Sequence, residues 1–171
     1  YWEEPCNSGE KGSGAIFFSG CTLGCVYCQN DSISHGGVGK TISEKRLCEI
    51  FHELIEAGAQ NINLVSPTPF IPTIKRVLEK EKLPVPVIYN SGGYETVETI
   101  RSLNGLINIY LPDLKYISPD LSERYSGARD YFEKASRAIL EMCRQTGAPT
   151  YDETGRMLSG TIVRHLILPS Y

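Results

Sequence analysis

The chain has 171 residues, of which 41% are hydrophobic and 22% are charged, and its formal net charge is −3. This composition excludes a disordered chain, and the length corresponds to about one domain at ~100–200 residues per domain. The acidic balance with scattered Lys and Arg excludes a basic nucleic-acid-binding surface, and no run reaches the roughly 18 apolar residues of a membrane span.

Strand and helix patterns alternate from the first apolar run onward. Residues 15–18 predict a strand, and residues 41–44 have the form of a capping box that opens a helix. Apolar residues follow at a spacing of about 3.6 residues, and Gly58 is a typical stop. Ile62–Val65 predicts the second strand, and Pro72 is typical of an early helical position.

The remaining predicted elements continue this alternation to the end of the chain. They are a strand at 85–89, a helix at 95–103, a strand at 107–111, a helix at Tyr131–Thr146 stopped by Gly147, and a strand at 161–168 ended by Pro169. Strands separated by helices predict a parallel sheet with right-handed crossovers. Five strands do not fill a closed barrel of typically ~250 residues, so we expect an α/β fold, a partial (βα) barrel with its helices outside.

Three of the six cysteines, Cys21, Cys25 and Cys28, lie directly after the first predicted strand. Their thiolates can converge on one centre only if the backbone curls tightly, and Gly20 and Gly24 provide that freedom. Thiolates suit zinc and iron–sulfur centres. Structural zinc and electron-transfer clusters usually take four protein ligands, and no fourth Cys or His follows closely. The spacing therefore favours an open site that performs chemistry.

The pattern Cys-x-x-x-Cys-x-aromatic-Cys, with Tyr27 as the aromatic residue, resembles the radical S-adenosylmethionine (SAM) superfamily. Segments throughout the chain resemble the uncharacterised relatives of the pyruvate formate-lyase activating enzyme, namely residues 12–30, 61–70, 89–94, 110–116 and 163–169. The resemblance implies a 4Fe–4S cluster on Cys21, Cys25 and Cys28, with SAM on the fourth iron. Reductive cleavage of SAM would give a 5′-deoxyadenosyl radical that abstracts hydrogen, from a glycine Cα in activating enzymes.

The resemblance also implies SAM contacts after the second and third strands. Ser66 and Thr68 stand where family members carry a Gly-Gly-Glu segment, and their hydroxyls or carbonyls would replace the missing Glu. Asn90 matches an Asn-Gly turn, although Tyr89 occupies a position often held by Asp.

Further contacts are implied after the fourth strand and on the fifth. Asp113 and Lys115 match the Asp-Leu-Lys of activating enzymes, in which the Lys approaches the SAM carboxylate. Arg164 matches a family arginine that faces the cavity, and its neighbour His165 should then point the other way. A simple salt bridge between Asp113 and Lys115 at a strand end is the alternative interpretation.

The resemblance implies three partners: SAM, an electron donor of the flavodoxin or ferredoxin type, and a glycyl-radical protein as substrate. The charge and the lengths of the apolar runs predict neither nucleic acid nor a membrane as a partner, and the acidic composition fits an oxygen-sensitive cytoplasmic enzyme. Relatives have a sixth strand, and the chain starts at Tyr1 rather than Met. We therefore expect residues 1–171 to be a single radical SAM domain truncated at both ends.

Two other functions remain as alternatives at this point. The first is a non-catalytic module in which the cysteines ligate zinc or an iron–sulfur cluster. The second is a nucleotidase, because residues 36–41 imitate the end of a phosphate-binding loop. That loop requires a glycine where Ser34 stands and a strand leading into it, so we expect a coincidence.

The other cysteines and a helical histidine receive structural interpretations. Cys48 and Cys143 fall in amphipathic helices, where free cysteines pack as small apolar residues. His52 in the first long helix is expected to be a surface or capping histidine rather than a ligand. Cys6 precedes the first strand, and a role as fourth ligand is the less favoured alternative for it.

Overall fold

Six strands form one sheet in the computed structural model, which describes residues 4–167. In chain order they are β1 (Gly14–Phe17), β2 (Ile62–Val65), β3 (Val87–Ser91), β4 (Ile109–Pro112), β5 (Thr150–Tyr151) and β6 (Met157–Thr161). Their order across the sheet is β1-β2-β3-β4-β6-β5. Every pair is parallel except β5 with β6. Strands β1 and β5 are the two edges of the sheet, which is therefore open, and the expected partial barrel is confirmed.

Helices connect the parallel strands. They are α1 (Pro5–Ser8), α2 (Asp31–Ser34), α3 (Glu44–Glu56), α4 (Ile71–Lys80), α5 (Val97–Arg101), α6 (Pro119–Ser126) and α7 (Tyr131–Thr146), with a 3₁₀ helix at Thr68–Phe70 before α4. Among the described residues, none of the helices has the length and apolar content needed to traverse a lipid bilayer.

Side chains along the strands alternate between two cores. Leu64, Tyr89 and Tyr110 belong to the larger core, which the helices cover on the outer face of the sheet. Ile88 and Ile109 alternate with them and pack in the smaller core on the inner face. This alternation follows from the two-residue period of a strand. It leaves the inner face free to form a cavity at the carboxyl ends of the strands.

The two long predicted helices are confirmed, with small differences at their ends. The N-cap of α3 is Ser43, whose side chain accepts a hydrogen bond from the Arg46 amide, so the capping box predicted at 41–44 begins two residues too early. Gly58 follows the end of α3 with φ of 94°, as expected of its stop. Gly147 ends α7 with φ of 65°.

The last predicted strand, 161–168, differs most from the structure. Strand β6 starts at Met157 and ends at Thr161, and pairing then continues as an isolated parallel bridge between Asp113 and Arg164. Because Asp152 accepts hydrogen bonds from the Thr154 and Arg156 amides, a tight turn reverses the chain and pairs β5 with β6. The predicted end at residues 168 and 169 lies outside the described residues.

Candidate functional site

A cavity of about 550 Å³ opens at the carboxyl ends of the parallel strands. Its wall combines the cysteine loop (residues 19–30) with the ends of β1, β2, β3 and β4 and the segment after β6. The sequence-predicted site residues that line it are Cys21, Cys25, Tyr27, Cys28, Ser66, Asn90, Asp113, Lys115 and Arg164. This placement agrees with the location of ligand sites in parallel α/β folds.

Each of the three cysteine sulfurs in the loop has a hydrogen-bonding neighbour. The contacts are the Leu23 amide to Cys21 Sγ at 3.5 Å, Ser126 Oγ to Cys25 Sγ at 2.9 Å, and Cys28 Sγ to Ser34 Oγ at 3.7 Å. Amides and hydroxyls can donate to thiolates, so these surroundings suit sulfur ligands in their deprotonated state.

The loop is fastened to the C-terminal end of α6 by its backbone. The amide of Gly24 donates to the Ser126 carbonyl at 3.0 Å, and the amide of Val26 donates to the Tyr125 carbonyl at 2.9 Å. These bonds place the Cys25 sulfur beside the Ser126 hydroxyl. The helix α6 was not predicted, because its eight residues contain only one Leu and one Tyr and have no long apolar period.

A histidine also fastens the loop from its other side. His35 Nε2 lies 2.9 Å from the Leu23 carbonyl, and its Nδ1 lies 2.9 Å from Asp31 Oδ1. The hydrogen bond to the Leu23 carbonyl, followed by the one to Asp31, raises the pKa of His35. His35 therefore holds the loop closed, a role for which the sequence gives no signal beyond the i, i+4 spacing from Asp31.

The conformational roles of the two loop glycines differ. Gly20 has φ of 96°, in the region that favours glycine, so the predicted freedom is used there. Gly24 is not among the described residues with positive φ, which contradicts the prediction for that position. A Cβ on Gly24 would come no closer than 3.8 Å to the Ser126 carbonyl oxygen, an ordinary contact.

The three loop cysteines line one cavity, and their thiolates suit zinc and iron–sulfur centres alike. Among described residues, the only group of three or more candidate ligand atoms all within 4.8 Å of one another is Cys48, His52 and Glu81, so at least one pair of loop sulfurs is farther apart than that. A tetrahedral zinc ion with Zn–S bonds of about 2.3 Å requires sulfurs about 3.8 Å apart. Burial, and then the neighbouring loop thiols, raise the pKa of Cys21, whereas the hydrogen bond from the Leu23 amide and, to a smaller extent, Lys115 lower it.

A chain of hydroxyl groups leads from Cys25 to Tyr27. Ser126 Oγ contacts Tyr116 Oη at 2.8 Å, and the Tyr116 hydroxyl is hydrogen-bonded to that of Tyr27. Burial, followed by the hydrogen bond with Tyr116, raises the pKa of Tyr27, so this phenol stays protonated. Tyr116 and Ser126 belong to the site but carry no motif in the sequence.

A network of charged side chains forms the opposite wall of the cavity. Asp113 accepts from Lys115 Nζ at 2.5 Å and from Arg164 Nε at 2.9 Å. Arg164 also donates to Asn90 Oδ1 at 2.6 Å. The predicted orientation of the last strand is confirmed, because His165 contacts the Leu114 carbonyl while Arg164 lines the cavity. The salt bridge considered for Asp113 and Lys115 therefore exists within the cavity wall.

The segment after β2 places its two hydroxyl residues differently. Ser66 lines the cavity and has φ of 55°, an unusual backbone conformation for a residue other than glycine. Thr68 is not among the residues of the cavity wall, since its hydroxyl is 3.0 Å from Tyr89 Oη and donates to Glu95 at 2.8 Å. Burial raises the pKa of Glu95 to about 7, against hydrogen bonds that lower it.

The residues set aside by the sequence analysis lie away from this cavity. Cys6 in α1 packs against the inner core, and Cys143 is exposed on α7. Helix α2, rather than a strand, precedes residues 36–41, so the requirement for a phosphate-binding loop is not met.

Comparisons with known proteins agree with this geometry. A family model described as the Radical SAM superfamily matches residues 15–159. The Uncharacterized protein MJ0674 of Methanocaldococcus jannaschii is 32% identical over 168 residues, which cover 93% of this chain and 45% of that protein. The chain therefore spans less than half the length of that curated relative.

Two solved structures share the fold at low sequence identity. HydG, a maturase of the FeFe-hydrogenase, has a TM-score of 0.53 and 19% identity, over 74% of this chain and 32% of that one. SuiB of Streptococcus suis has a TM-score of 0.56 and 14% identity, over 88% of this chain and 32% of that one.

Proposed function

Because the chain belongs to the radical SAM superfamily, whose members use a 4Fe–4S cluster and SAM, we propose that Cys21, Cys25 and Cys28 hold the cluster and that the adjoining cavity holds SAM. One observation carries the proposal: three cysteine sulfurs, each with a hydrogen-bonding neighbour, line the cavity at the strand ends. A reduced cluster of this kind supplies the electron that cleaves SAM into methionine and a 5′-deoxyadenosyl radical.

The charged wall binds the amino-acid part of SAM. Lys115 and Arg164 offer donors to its carboxylate, and Asp113 orients both cations because it bonds to each of them. Asn90 fixes the guanidinium of Arg164 from the other side. Ser66 offers a hydroxyl and a carbonyl to the amino group, in place of the missing family Glu. The Thr68 hydroxyl is already engaged by Glu95, so we assign it a supporting contact through the shape of this turn.

Apolar side chains exclude water from the same space. Phe17, Leu23 and Val65 line the cavity between the cysteine loop and the strand ends. Tyr27 lines it as well, with its hydroxyl turned to Tyr116. A dry, shaped pocket limits side reactions of a radical before it meets its substrate.

The finer proposal concerns the hydrogen donor and the reductant. The segments that resemble activating enzymes, including Asp113-Leu114-Lys115, support a glycine Cα of a partner protein as the hydrogen donor. Electrons then come from a flavodoxin- or ferredoxin-like protein. Phe17, Leu166 and Ile167 are exposed apolar side chains at the cavity wall, a composition that suits contact with a protein surface.

Anaerobic reconstitution with iron and sulfide tests the cluster and the cleavage reaction. We expect the protein to form 5′-deoxyadenosine when SAM and dithionite are added. Cys25→Ala should abolish the product, whereas Cys143→Ala should retain it because Cys143 is exposed on α7, outside the cavity wall. An unchanged yield in Cys25→Ala contradicts the proposal. Purified protein with zinc that Cys25→Ala removes, and with no labile sulfide, would establish the non-catalytic module instead.

Anaerobic capture from the native host tests the glycyl-radical partner. Captured protein, incubated with reconstituted enzyme and SAM, should develop a glycyl-radical EPR signal that is absent with Cys25→Ala. Formation of 5′-deoxyadenosine without any such signal would retain the radical SAM assignment and overturn the activating role.

A further inference from the structure

A second cluster of potential metal ligands lies outside the cavity, between α3 and the end of α4. The Cys48 sulfur, a His52 ring nitrogen and a Glu81 carboxylate oxygen all lie within 4.8 Å of one another. None of the three lines the cavity described above. We propose that Cys48, His52 and Glu81 form a binding site for a divalent transition metal, most suitably Zn²⁺.

Secondary structure fixes two of the three ligands. Cys48 and His52 are four residues apart on α3, so they lie one above the other on the same helix face. The same spacing presents paired ligands in helical zinc motifs. Glu81 is the C-cap of α4, a position whose backbone is held by the hydrogen bond from its amide to the Val77 carbonyl.

Packing between α3 and α4 holds the third ligand in register with the other two. Leu47 and Phe51 on α3 pack in the same buried core as Val77 on α4. Glu44 adds ion pairs to Arg76 at 2.6 Å and to Lys80 at 3.6 Å across the same two helices. The gap between the ligands is therefore set by a rigid helix pair.

The observed distances suit tetrahedral coordination. His52 Nε2 and Glu81 Oε2 are 3.5 Å apart. Tetrahedral zinc, with Zn–N and Zn–O bonds of about 2.1 Å, places such atoms about 3.4 Å apart. The sulfur would need to lie about 3.6 Å from each, and the cluster already holds all three atoms within 4.8 Å. Small rotamer changes are therefore enough to close the site.

The chemistry of the donors selects the kind of metal. A thiolate, an imidazole and a carboxylate together match the ligands of zinc, whereas calcium and magnesium prefer oxygen alone. The thiolate and the carboxylate would neutralise a divalent ion, and the Cys48 proton would pass to solvent on binding. His52 is 48% exposed and Glu81 39% exposed, so water can occupy a fourth position.

An ion pair between His52 and Glu81 alone explains less of this arrangement. A pair this exposed contributes little to stability. It also takes no account of the Cys48 thiol, which hydrogen-bonds to Glu81 and lies beside both groups. The separate expectations for the two α3 residues are confirmed, since Cys48 packs against the larger core and His52 is exposed, and the structure in addition brings them together with Glu81.

Zinc analysis of the reconstituted protein tests this site while the loop cysteines are occupied. After equilibration with Zn²⁺ and removal of free metal, we expect a single zinc per chain in addition to iron and sulfide. Cys48→Ser and His52→Gln should weaken zinc binding by more than about 100-fold in a chelator competition, since each removes a ligand. Cys143→Ser, which changes an exposed cysteine on α7, should leave zinc binding unchanged.

A variant without the loop cysteines distinguishes a failure of this inference from a failure of the proposed function. The variant Cys21→Ser/Cys25→Ser/Cys28→Ser cannot build the loop centre, yet it should retain the single zinc and lose it when Cys48→Ser is added. Circular dichroism confirms that each variant is folded, and Glu81→Gln gives a third, nearly isosteric test. Absence of zinc from the folded wild-type protein, or zinc that persists in both Cys48→Ser and His52→Gln, overturns the site.

Discussion

Ser126 is the residue through which α6 reaches the cysteine loop. Its hydroxyl contacts Cys25 Sγ at 2.9 Å and Tyr116 Oη at 2.8 Å. Hydrogen bonds to the sulfur ligands of an iron–sulfur cluster stabilise its reduced state and raise its potential. The Ser126 hydroxyl therefore belongs to the electrostatic environment of the proposed cluster.

We expect Ser126→Ala to shift the reduction potential of the reconstituted cluster to a more negative value. The variant has no hydroxyl to donate to the Cys25 sulfur, so the negative charge that reduction adds to the cluster is less well stabilised. A redox titration followed by EPR measures the shift. Ser136→Ala on α7, whose hydroxyl bonds only within its own helix, is the control. Equal potentials in both variants would show that Ser126 has no electrostatic effect.

Glu95 makes stability depend on pH in the direction opposite to most carboxylates. Burial raises its pKa from 4.5 to about 7. The folded state therefore binds the proton more tightly than the unfolded state, so stability falls as pH rises from about 4.5 through 7. A shift of this size corresponds to roughly 3 kcal/mol when the carboxyl is fully ionised.

Glu95→Gln should flatten this part of the stability profile. The amide keeps the shape and an acceptor for Thr68 but cannot ionise. Urea unfolding at pH 5 and pH 8 measures the difference, with Glu98→Gln on the exposed face of α5 as the control. If Glu95→Gln loses as much stability between pH 5 and pH 8 as the wild-type protein does, other groups cause the pH dependence.

The cysteine loop is the element whose backbone is most specialised. Gly20 has φ of 96°, and a Cβ there would meet its nearest atom at 3.9 Å, so the obstacle to a side chain is conformational. Gly24 has no such requirement. Gly20→Ala should lower the free energy of unfolding by roughly 1–2 kcal/mol, whereas Gly24→Ala should leave it nearly unchanged.

Urea unfolding of the two alanine variants measures this difference, and iron content after reconstitution shows whether the loop still forms its centre. The pair is matched, because each variant replaces by alanine a glycine that directly precedes a loop cysteine. If Gly24→Ala is as destabilising as Gly20→Ala, the left-handed conformation of Gly20 is not what shapes the loop.

The elements that the sequence predicted best are those with a buried apolar period. Helix α3 has buried apolar residues at helical spacing, such as Leu47 and Phe51, and β2 is a continuous apolar run except for Asn63. Helix α6 and the hairpin of β5 with β6 depend on caps and turns instead, such as Ser118 and Gly127 at the two ends of α6. Elements that depend on such local hydrogen bonds are hard to predict, because these bonds leave only a weak pattern in the amino-acid sequence.

The same distinction applies to the candidate site. The family resemblance implied that Asp113 and Arg164 face the cavity, and the edge where the carboxyl ends of parallel strands meet is the expected place for such a site. Ser126 and His35 could not be assigned to it, since their contacts depend on where α6 and α2 dock against the loop. Cys48, His52 and Glu81 share that limitation, because the third ligand comes from a different helix.

At the scale of the whole molecule, Asp113 joins the end of β4 to the segment after β6. It pairs with Arg164 on that segment and with Lys115 beside it, and its side chain is only 19% exposed. Removing Asp113 leaves Lys115 without its carboxylate and Arg164 with Asn90 as its remaining close acceptor, which is costly in a partly buried place. The pairing helps to hold the last parallel strand against the sheet.

Asp113→Ala should lower the free energy of unfolding by about 1–3 kcal/mol and weaken SAM binding to the reconstituted protein. Asp120→Ala, whose side chain is 82% exposed and pairs with Arg129 on the surface, should change neither. Denaturant unfolding and equilibrium dialysis with SAM measure the two effects. Full stability in Asp113→Ala would mean that the backbone bridge to Arg164 alone holds this segment.

The alternation of side chains between the two faces of the sheet has a consequence for how such a domain can evolve. Leu64 and Tyr89 face the helices and are fully buried, so changes there are limited by folding. Phe17 and Val65 on the other face line the cavity, where the surrounding space tolerates other volumes. Selection on substrate choice and selection on stability thus act on alternate residues of the same strands, and each can proceed with little interference from the other.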